Sequence, residues 1–466
     1  MNESRIRADQ KNLKRLLEKT LQHSLNFLER VDETMPASRV ENLERLHLAD
    51  EGIGAEEALN LFIDRYSSSM TASSGPRYLG FVTGGTTPAA LLGDWLVSTF
   101  DINLADSKNS SAPNVEFEAI GLLRELFGLT EDFSGVFVSG ATMSNFMGLA
   151  VGREWIAKGQ GKSIVQDGLY NLPKIDILSG EAHSSIYKAL SMLGMGRKSV
   201  TKVALLPDRE AVDIYQLELE LEKLEGRACL VVANAGTVNT VDFDDIDAIG
   251  KLKEKYRLWL HVDAAFGGFA ACSPTHKSKL NGIALADSVT IDAHKWLNVP
   301  YDSAMFFTKH RELQTEVFQN SAAYLGPISS IPDFFHLTPE NSRRFRALPA
   351  WFTLLAYGKN GYREIVERNC SSAAALGQKI LGSTAFKLLA PVRLNVVCFT
   401  LAEKDNVTVD LIKTFLDELR DDGRVFMTPT VYKGSAGIRA AFCNWRTEQE
   451  DVEIIWQALI ETINKL

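Results

Sequence analysis

The sequence predicts an α/β protein built on a seven-stranded, mostly parallel sheet, preceded by a helical segment and followed by a smaller α+β domain. Three observations carry this. Seven short β-rich runs lie between residues 135 and 308: GVFVSG (135–140), IDILSG (175–180), VALLP (203–207), CLVVANAG (229–236), LWLHVDAA (258–265), SVTI (288–291) and AMFFT (304–308). Helical patterns separate several of them, as at 214–224 and 245–256, and strand–helix–strand alternation signals parallel pairing with helices on the sheet faces. From about residue 350 to 466 helices alternate with short strands, the pattern of a separate, smaller unit.

Taken in order, the first element is a helix over 8–33. Leu13, Leu16, Leu17, Leu21, Leu25 and Leu28 recur at three- and four-residue spacing and form one apolar stripe, which needs a cover from the fold or from a second subunit. Glycine-rich turns follow in GPRYLGFVTGG (75–85), then a second helical stretch around Pro88–Phe100. At 466 residues the chain suits two or three domains. The expected divisions are 1–78 for the helical segment, 79–348 for the large domain and 349–466 for the small one.

Composition excludes several classes. With 45% hydrophobic and 23% charged residues the chain is an ordinary globular one, and a net charge of −9 gives no reason to expect nucleic acid or an anionic membrane as partner. The five cysteines are scattered without a CxxC pair, which reads as reduced thiols rather than a zinc site. The N-terminus is charged and lacks the apolar run of a signal peptide, and no stretch reaches the length of a membrane span, so a cytoplasmic protein is expected.

Ligands of open parallel sheets bind beyond the carboxyl ends of the strands, so the polar residues there are the candidates. The first strand runs into Ser139-Gly140-Ala141-Thr142-Met143-Ser144-Asn145 and then an apolar helix. Small residues and hydroxyls at a helix start make an anion site; a plainly capped helix is the alternative, and no Walker lysine or GxGxxG is present. LWLHVDAA delivers Asp263, either a buried structural acid or the partner of a cation, and SVTIDAHKW ends in His294 and Lys295. A lysine there is ordinarily a solvated side chain, but here an aspartate, a histidine and an anion loop share its sheet edge. His183, in GEAHSSIYKA, is either a satisfied core histidine or a flat partner for an aromatic ring, with Ala265 against the opposite face. Pyridoxal phosphate is the ligand that needs this set: a phosphate for the helix start, an aldehyde for the lysine, and a ring nitrogen kept protonated by a carboxylate.

Five segments in order, SGATMSN, EAHSSIYKAL, ANAGTVNTVDFDDI, HVDAAFGGFA and SVTIDAHKWLNVPYDSA, followed by SRRFRALPAWF, make the sequence similar to the pyridoxal-phosphate-dependent group II amino acid decarboxylases, among them the glutamate and aromatic L-amino acid decarboxylases. The resemblance spans about residues 75–450. It implies the aspartate-aminotransferase-type fold (fold type I), a homodimer with its active site at the subunit interface, and an N-terminal segment packed on the partner. It further implies Lys295 as the aldimine lysine, Asp263 at the ring nitrogen, His183 stacked on the ring and Ala265 pressing its other face. Ala141 and Thr142 would bind phosphate with His294 beside it, Thr237 would lie near the cofactor, and Phe81, Asp106 and Arg439 would face the substrate. A salt bridge between domains is the plain alternative for Arg439.

Three departures bear on the reaction. Gly236-Thr237-Val238 stands where the family often has Gly-Thr-Thr. GPISSIPDFFHLTPENS, ahead of Arg343, has no tyrosine where related decarboxylases carry a proton-donating one, and His336 is the residue there able to give a proton near neutral pH. Asn103-Leu104-Ala105-Asp106-Ser107-Lys108 is polar for a segment that faces an aromatic substrate in relatives. Decarboxylation of an L-amino acid to an amine is the expected activity. Oxidative decarboxylation–deamination to an aldehyde, another lyase reaction and a silent scaffold are the alternatives, the last disfavoured because a scaffold needs none of Lys295, Asp263, His183 and His294.

Overall fold

The computed structural model describes residues 4–39, 43–105, 110–170, 172–320, 328, 331–402 and 407–466. The large sheet contains β1 (Ser134–Val138), β2 (Asp176–Ser179), β3 (Val200–Lys202), β4 (Cys229–Asn234), β5 (Leu258–Asp263), β6 (Ser288–Ile291) and β7 (Ala304–Thr308). Their order is β1-β7-β6-β5-β4-β2-β3, and β7 alone runs against its neighbours. Every residue of β1, β4, β5, β6 and β7 is buried, which is why these runs are almost continuously apolar: helices cover both faces. The sequence expectation of a seven-stranded, mostly parallel sheet is borne out.

One strand is displaced. The apolar run 203–207 was expected as the third strand, but β3 precedes it and pairs only with β2. Beyond Val203, whose amide still donates to the Ser179 carbonyl, the chain turns back on itself, with Leu205 bridged to Val212. An edge strand with one neighbour has little to hold it extended, and Pro207 and Asp208, at φ 55°, make the turn.

Helix Ala141–Lys158 follows β1 and packs across β4 to β7. The carboxyl ends of β4, β5 and β6 lie level, with Asn234 opposite Asp263 and Asp263 opposite Thr290. The turns that leave these ends therefore converge on one place.

A second, antiparallel sheet, β10-β11-β9-β8, comprises β8 (Phe386–Leu388), β9 (Val396–Leu401), β10 (Thr428–Tyr432) and β11 (Ser435–Ala441). Its own core is built from Phe386, Phe399, Phe415 and Ile455. The helical stretch Ala347–Leu381, broken at Gly358 (φ 56°), joins the two units: Leu348 and Tyr362 enter the first core, Ala373 and Leu376 the second.

At the N-terminus the expected single helix is two, Arg5–Lys11 and Leu13–Glu29. Asn12 separates them, its side-chain amide donating to the Ala8 carbonyl, the local competition that makes asparagine a poor helix interior. Neither helix buries a residue; Leu13 is 52% and Leu17 60% exposed. Among the described residues no helix is long and apolar enough to cross a membrane.

Candidate active site

The strand ends enclose a cavity of about 330 Å³, within the range of small-molecule sites. It brings together Phe81, Ala141, Thr142, His183, Thr237, Asp263, Ala265, His294, Lys295 and Arg439. Strand ends of the large sheet meet there with Phe81, from the turn at 75–85, and Arg439, from the second sheet.

Lys295 sits on a single wide helical turn, Ala293–Leu297, that leaves β6. Its Nζ lies 2.9 Å from Asp292 Oδ2 and over the Phe266 ring, 5.5 Å from the ring centroid. The backbone of this turn is clamped: the Gly84 amide donates to the His294 carbonyl, and a Cβ on Gly84 would fall 1.8 Å from the Lys295 oxygen. Only glycine admits that approach. His294 Nδ1 donates to the Ser303 carbonyl at 3.0 Å, and its ring packs 4.5 Å from Tyr301. Burial pushes the His294 pKa below the ordinary range, so the ring is neutral at pH 7.

Asp263 ends β5, buried. Its Oδ2 accepts from Asn145 Nδ2 at 2.9 Å and its Oδ1 from the Ala265 amide at 3.2 Å. His183 caps the helix Ser184–Met192, its Nδ1 accepting from the Ser185 amide. Burial, opposed by the charge of Asp263, lowers the His183 pKa, which leaves a flat neutral imidazole.

Helix Ala141–Lys158 starts at Gly140, which provides no side-chain cap, and a Cβ on Gly140 would meet nothing within 4 Å. The Ala141 amide is held by Asp292 Oδ1 at 2.7 Å. That leaves Thr142 in the first turn open to the cavity, at a helix start of the kind that receives a phosphate.

Two expectations are altered by the geometry. Thr237 lines the cavity, but its hydroxyl donates to the buried Glu210 carboxylate and accepts from the Asp242 amide, so its hydrogen-bonding capacity is spent inside the protein. His336 is not brought to the cavity. It is buried beside Phe335, and its Nδ1 accepts from the Asn320 amide at 3.2 Å. Asp106 lies outside the described residues.

Arg439, on β11, gives Nη1 to the Val238 carbonyl (3.0 Å) and Nη2 to the Phe81 carbonyl (3.1 Å); its Nε is buried without a partner. Among the described residues it has no carboxylate within ion-pair distance, so the salt bridge between domains is not formed. A buried, uncompensated guanidinium suits an anionic group of a ligand.

Sequence reasoning missed Asp292, Asn145, Ser185, His261, Thr83 and Tyr301. Asp292 was legible as an acid three residues before Lys295. Tyr301, whose hydroxyl donates to Thr83 Oγ1 at 3.0 Å in the cavity wall, carries no local signal.

The donor set fits pyridoxal phosphate: an amine, a carboxylate at a strand end, a flat imidazole and an uncapped helix start around one cavity. Comparisons agree. Residues 56–402 match the family model described as "Pyridoxal-dependent decarboxylase conserved domain". The chain is 25% identical over 433 residues to an aromatic-L-amino-acid decarboxylase of Bacillus atrophaeus, covering 91% of this chain and 88% of the relative. It is 26% identical over 390 residues to an L-2,4-diaminobutyrate decarboxylase of Acinetobacter baumannii, covering 80% and 76%. Among solved structures, Oryza sativa TDC with PLP and tryptamine superposes at a TM-score of 0.90 over 98% of each chain, at 19% identity.

Proposed function

Because this chain belongs to the pyridoxal-dependent decarboxylases, we propose that Lys295 is its covalent anchor for pyridoxal phosphate, Asp263 the partner of the ring nitrogen and the start of helix Ala141–Lys158 the phosphate seat. The protein is a pyridoxal-phosphate-dependent carboxy-lyase that converts an L-amino acid into the amine and carbon dioxide. The observation that supports the residue assignment is the meeting of Lys295 and Asp263 in one cavity with an uncapped helix start.

When bound, the cofactor supplies an electron sink for the pair left at the substrate α-carbon as carbon dioxide departs. Everything else falls to the chain. Asp292 holds the Lys295 ammonium at Nζ. Asp263, oriented by Asn145 and the Ala265 amide, would hold a proton on the ring nitrogen. His183 and Ala265, both in the cavity wall, would flank the flat ring. Arg439, in the cavity wall, would supply positive charge for a substrate carboxylate, and Phe81, Val82 and Phe266 supply apolar wall that excludes water. The test is an assay of carbon dioxide, amine, ammonia and peroxide across the twenty amino acids. Stoichiometric amine and carbon dioxide without oxygen uptake is the expected result; aldehyde, ammonia and peroxide would establish the oxidative alternative.

The enclosure of His336 bears on proton delivery. His336→Gln keeps an acceptor for the Asn320 amide and removes the imidazole. Product balance under air and under argon should match wild type within about twofold, since the residue does not line its own protomer's cavity and its Nδ1 is committed to the Asn320 amide. A shift towards oxygen uptake would return His336 to the reaction.

The same reading includes a homodimer with its site at the subunit interface, located in the cytoplasm. It is supported by the stripe of Leu13, Leu17, Leu21 and Leu25, which the described residues of one protomer leave partly exposed, and by five buried, unpaired cysteines. Deleting residues 1–29 removes both helices and no buried residue. Light scattering should then find monomer or aggregate, with activity lost. An active monomer would rule out the interfacial site.

A further inference from the structure

Beneath Asp263 lies a hydrogen-bond chain whose direction is forced at every link. The alternation of β5 points Trp259, His261 and Asp263 to one face, and helix Ala141–Lys158 lies against it. Asn145, Gly148 and Gly152 stand on the facing side of that helix. A Cβ on Gly148 would lie 2.4 Å from His261 Cε1 and Nδ1, so the glycine makes room for the imidazole.

The chain begins at a group that can only donate. Trp259 Nε1 donates to Ser288 Oγ at 3.1 Å, and Ser288 Oγ lies 2.8 Å from His261 Nδ1. His261 Nε2 lies 2.9 Å from Asn145 Oδ1, and Asn145 Nδ2 donates to Asp263 Oδ2 (2.9 Å) and Ser185 Oγ (3.0 Å). Ser185 Oγ in turn lies 2.8 Å from His183 Nδ1. The ends fix the direction. A carboxylate accepts only, so Asn145 turns its amide nitrogen to Asp263 and its oxygen to His261; His261 must then carry its proton on Nε2 and accept at Nδ1. Complete burial pushes the His261 pKa down to about 4, which keeps that ring neutral. At the other branch the Ser185 amide donates to His183 Nδ1, so that nitrogen is unprotonated and His183 carries its proton on Nε2.

We propose that Asn145 and His261 are positioning residues which, through this single chain, set the orientation of Asp263. The inference rests on the reading of Asp263 as a residue facing the cofactor. It explains why a histidine is fully buried two residues before Asp263 without touching the cavity.

Three variants test it: Asn145→Leu, His261→Leu and His261→Gln. Glutamine retains an amide donor for Asn145 Oδ1 and an acceptor for Ser288. Pyridoxal phosphate titrated into the cofactor-free protein should bind about 10- to 100-fold more weakly to both leucine variants and within about threefold of wild type to His261→Gln, the scale of losses when outer partners of a site residue are removed. In ¹⁵N-histidine spectra of the cofactor-free protein, His261 should show a protonated Nε2 and an unprotonated Nδ1 in wild type and lose that tautomer preference in Asn145→Leu. If glutamine and leucine at 261 behave alike and the His261 signals do not move in Asn145→Leu, the role is packing alone and the inference fails. Should Asn145→Leu not fold, the pair at 261 decides by its affinities. Asp263→Asn is measured alongside: wild-type binding and turnover there would overturn the reading of the site, whereas a crippled Asp263→Asn beside wild-type leucine variants would overturn only the chain proposed here.

Discussion

Lys295→Ala will fold, lose the yellow colour of the bound cofactor and retain no more than about one part in ten thousand of wild-type turnover, some 5.5 kcal/mol of transition-state stabilisation. The fold survives because the turn is held by its backbone, through Gly84 against the Lys295 carbonyl, while the side chain reaches only Asp292 and Phe266. Asp292 loses one partner and keeps the Ala141 amide, so the loss of stability is modest. Activity is lost because no other lysine lines the cavity among the described residues. Borohydride reduction of wild type followed by peptide mapping should place the label on Lys295; a label on a different lysine would refute the assignment.

Asp263→Asn comes next in size. The substitution keeps shape and a carbonyl oxygen but gives up the negative charge, and its amide would confront the Asn145 Nδ2 donor, or else turn its oxygen there and leave a donor towards the Ala265 amide. Either way the ring nitrogen loses its anionic partner. Turnover should fall about a thousandfold, close to 4 kcal/mol, and more in kcat than in KM, because the charge matters most when electrons move towards the ring. Asp263→Glu, which retains the charge in a displaced position, should keep measurably more. Turnover of Asp263→Asn within a few-fold of wild type would exclude the electron-sink role.

The two losses differ in kind from those expected at the periphery. Thr237 shows why. Its hydroxyl is committed to Glu210, so Thr237→Val would be felt through the buried carboxylate, which would lose one of its donors, rather than through direct contact with the cofactor.

By itself the sequence determined the sheet and the chemistry placed at its strand ends. Strands buried on both faces must be written as apolar runs, so six of the seven were readable, and a polar residue that interrupts such a run, Asp263 or the pair His294–Lys295, announces itself by its cost. Where the constraint was weaker the reading slipped. At the one-neighbour edge β3 moved off the run 203–207, and Asn12 split a helix whose leucine spacing looked continuous. Tertiary structure alone decided which side chains meet. His336 carries the right chemistry in sequence but is enclosed with Asn320; Arg439 reads equally as a salt bridge until β11 places it without a carboxylate; and Asn145, His261 and Ser185 look like ordinary core polar residues until β5 and the helix above it are laid together. The physical reason is range. Periodicity records what one element owes to the core, whereas a hydrogen bond is fixed within a few tenths of an ångström by elements more than a hundred residues apart.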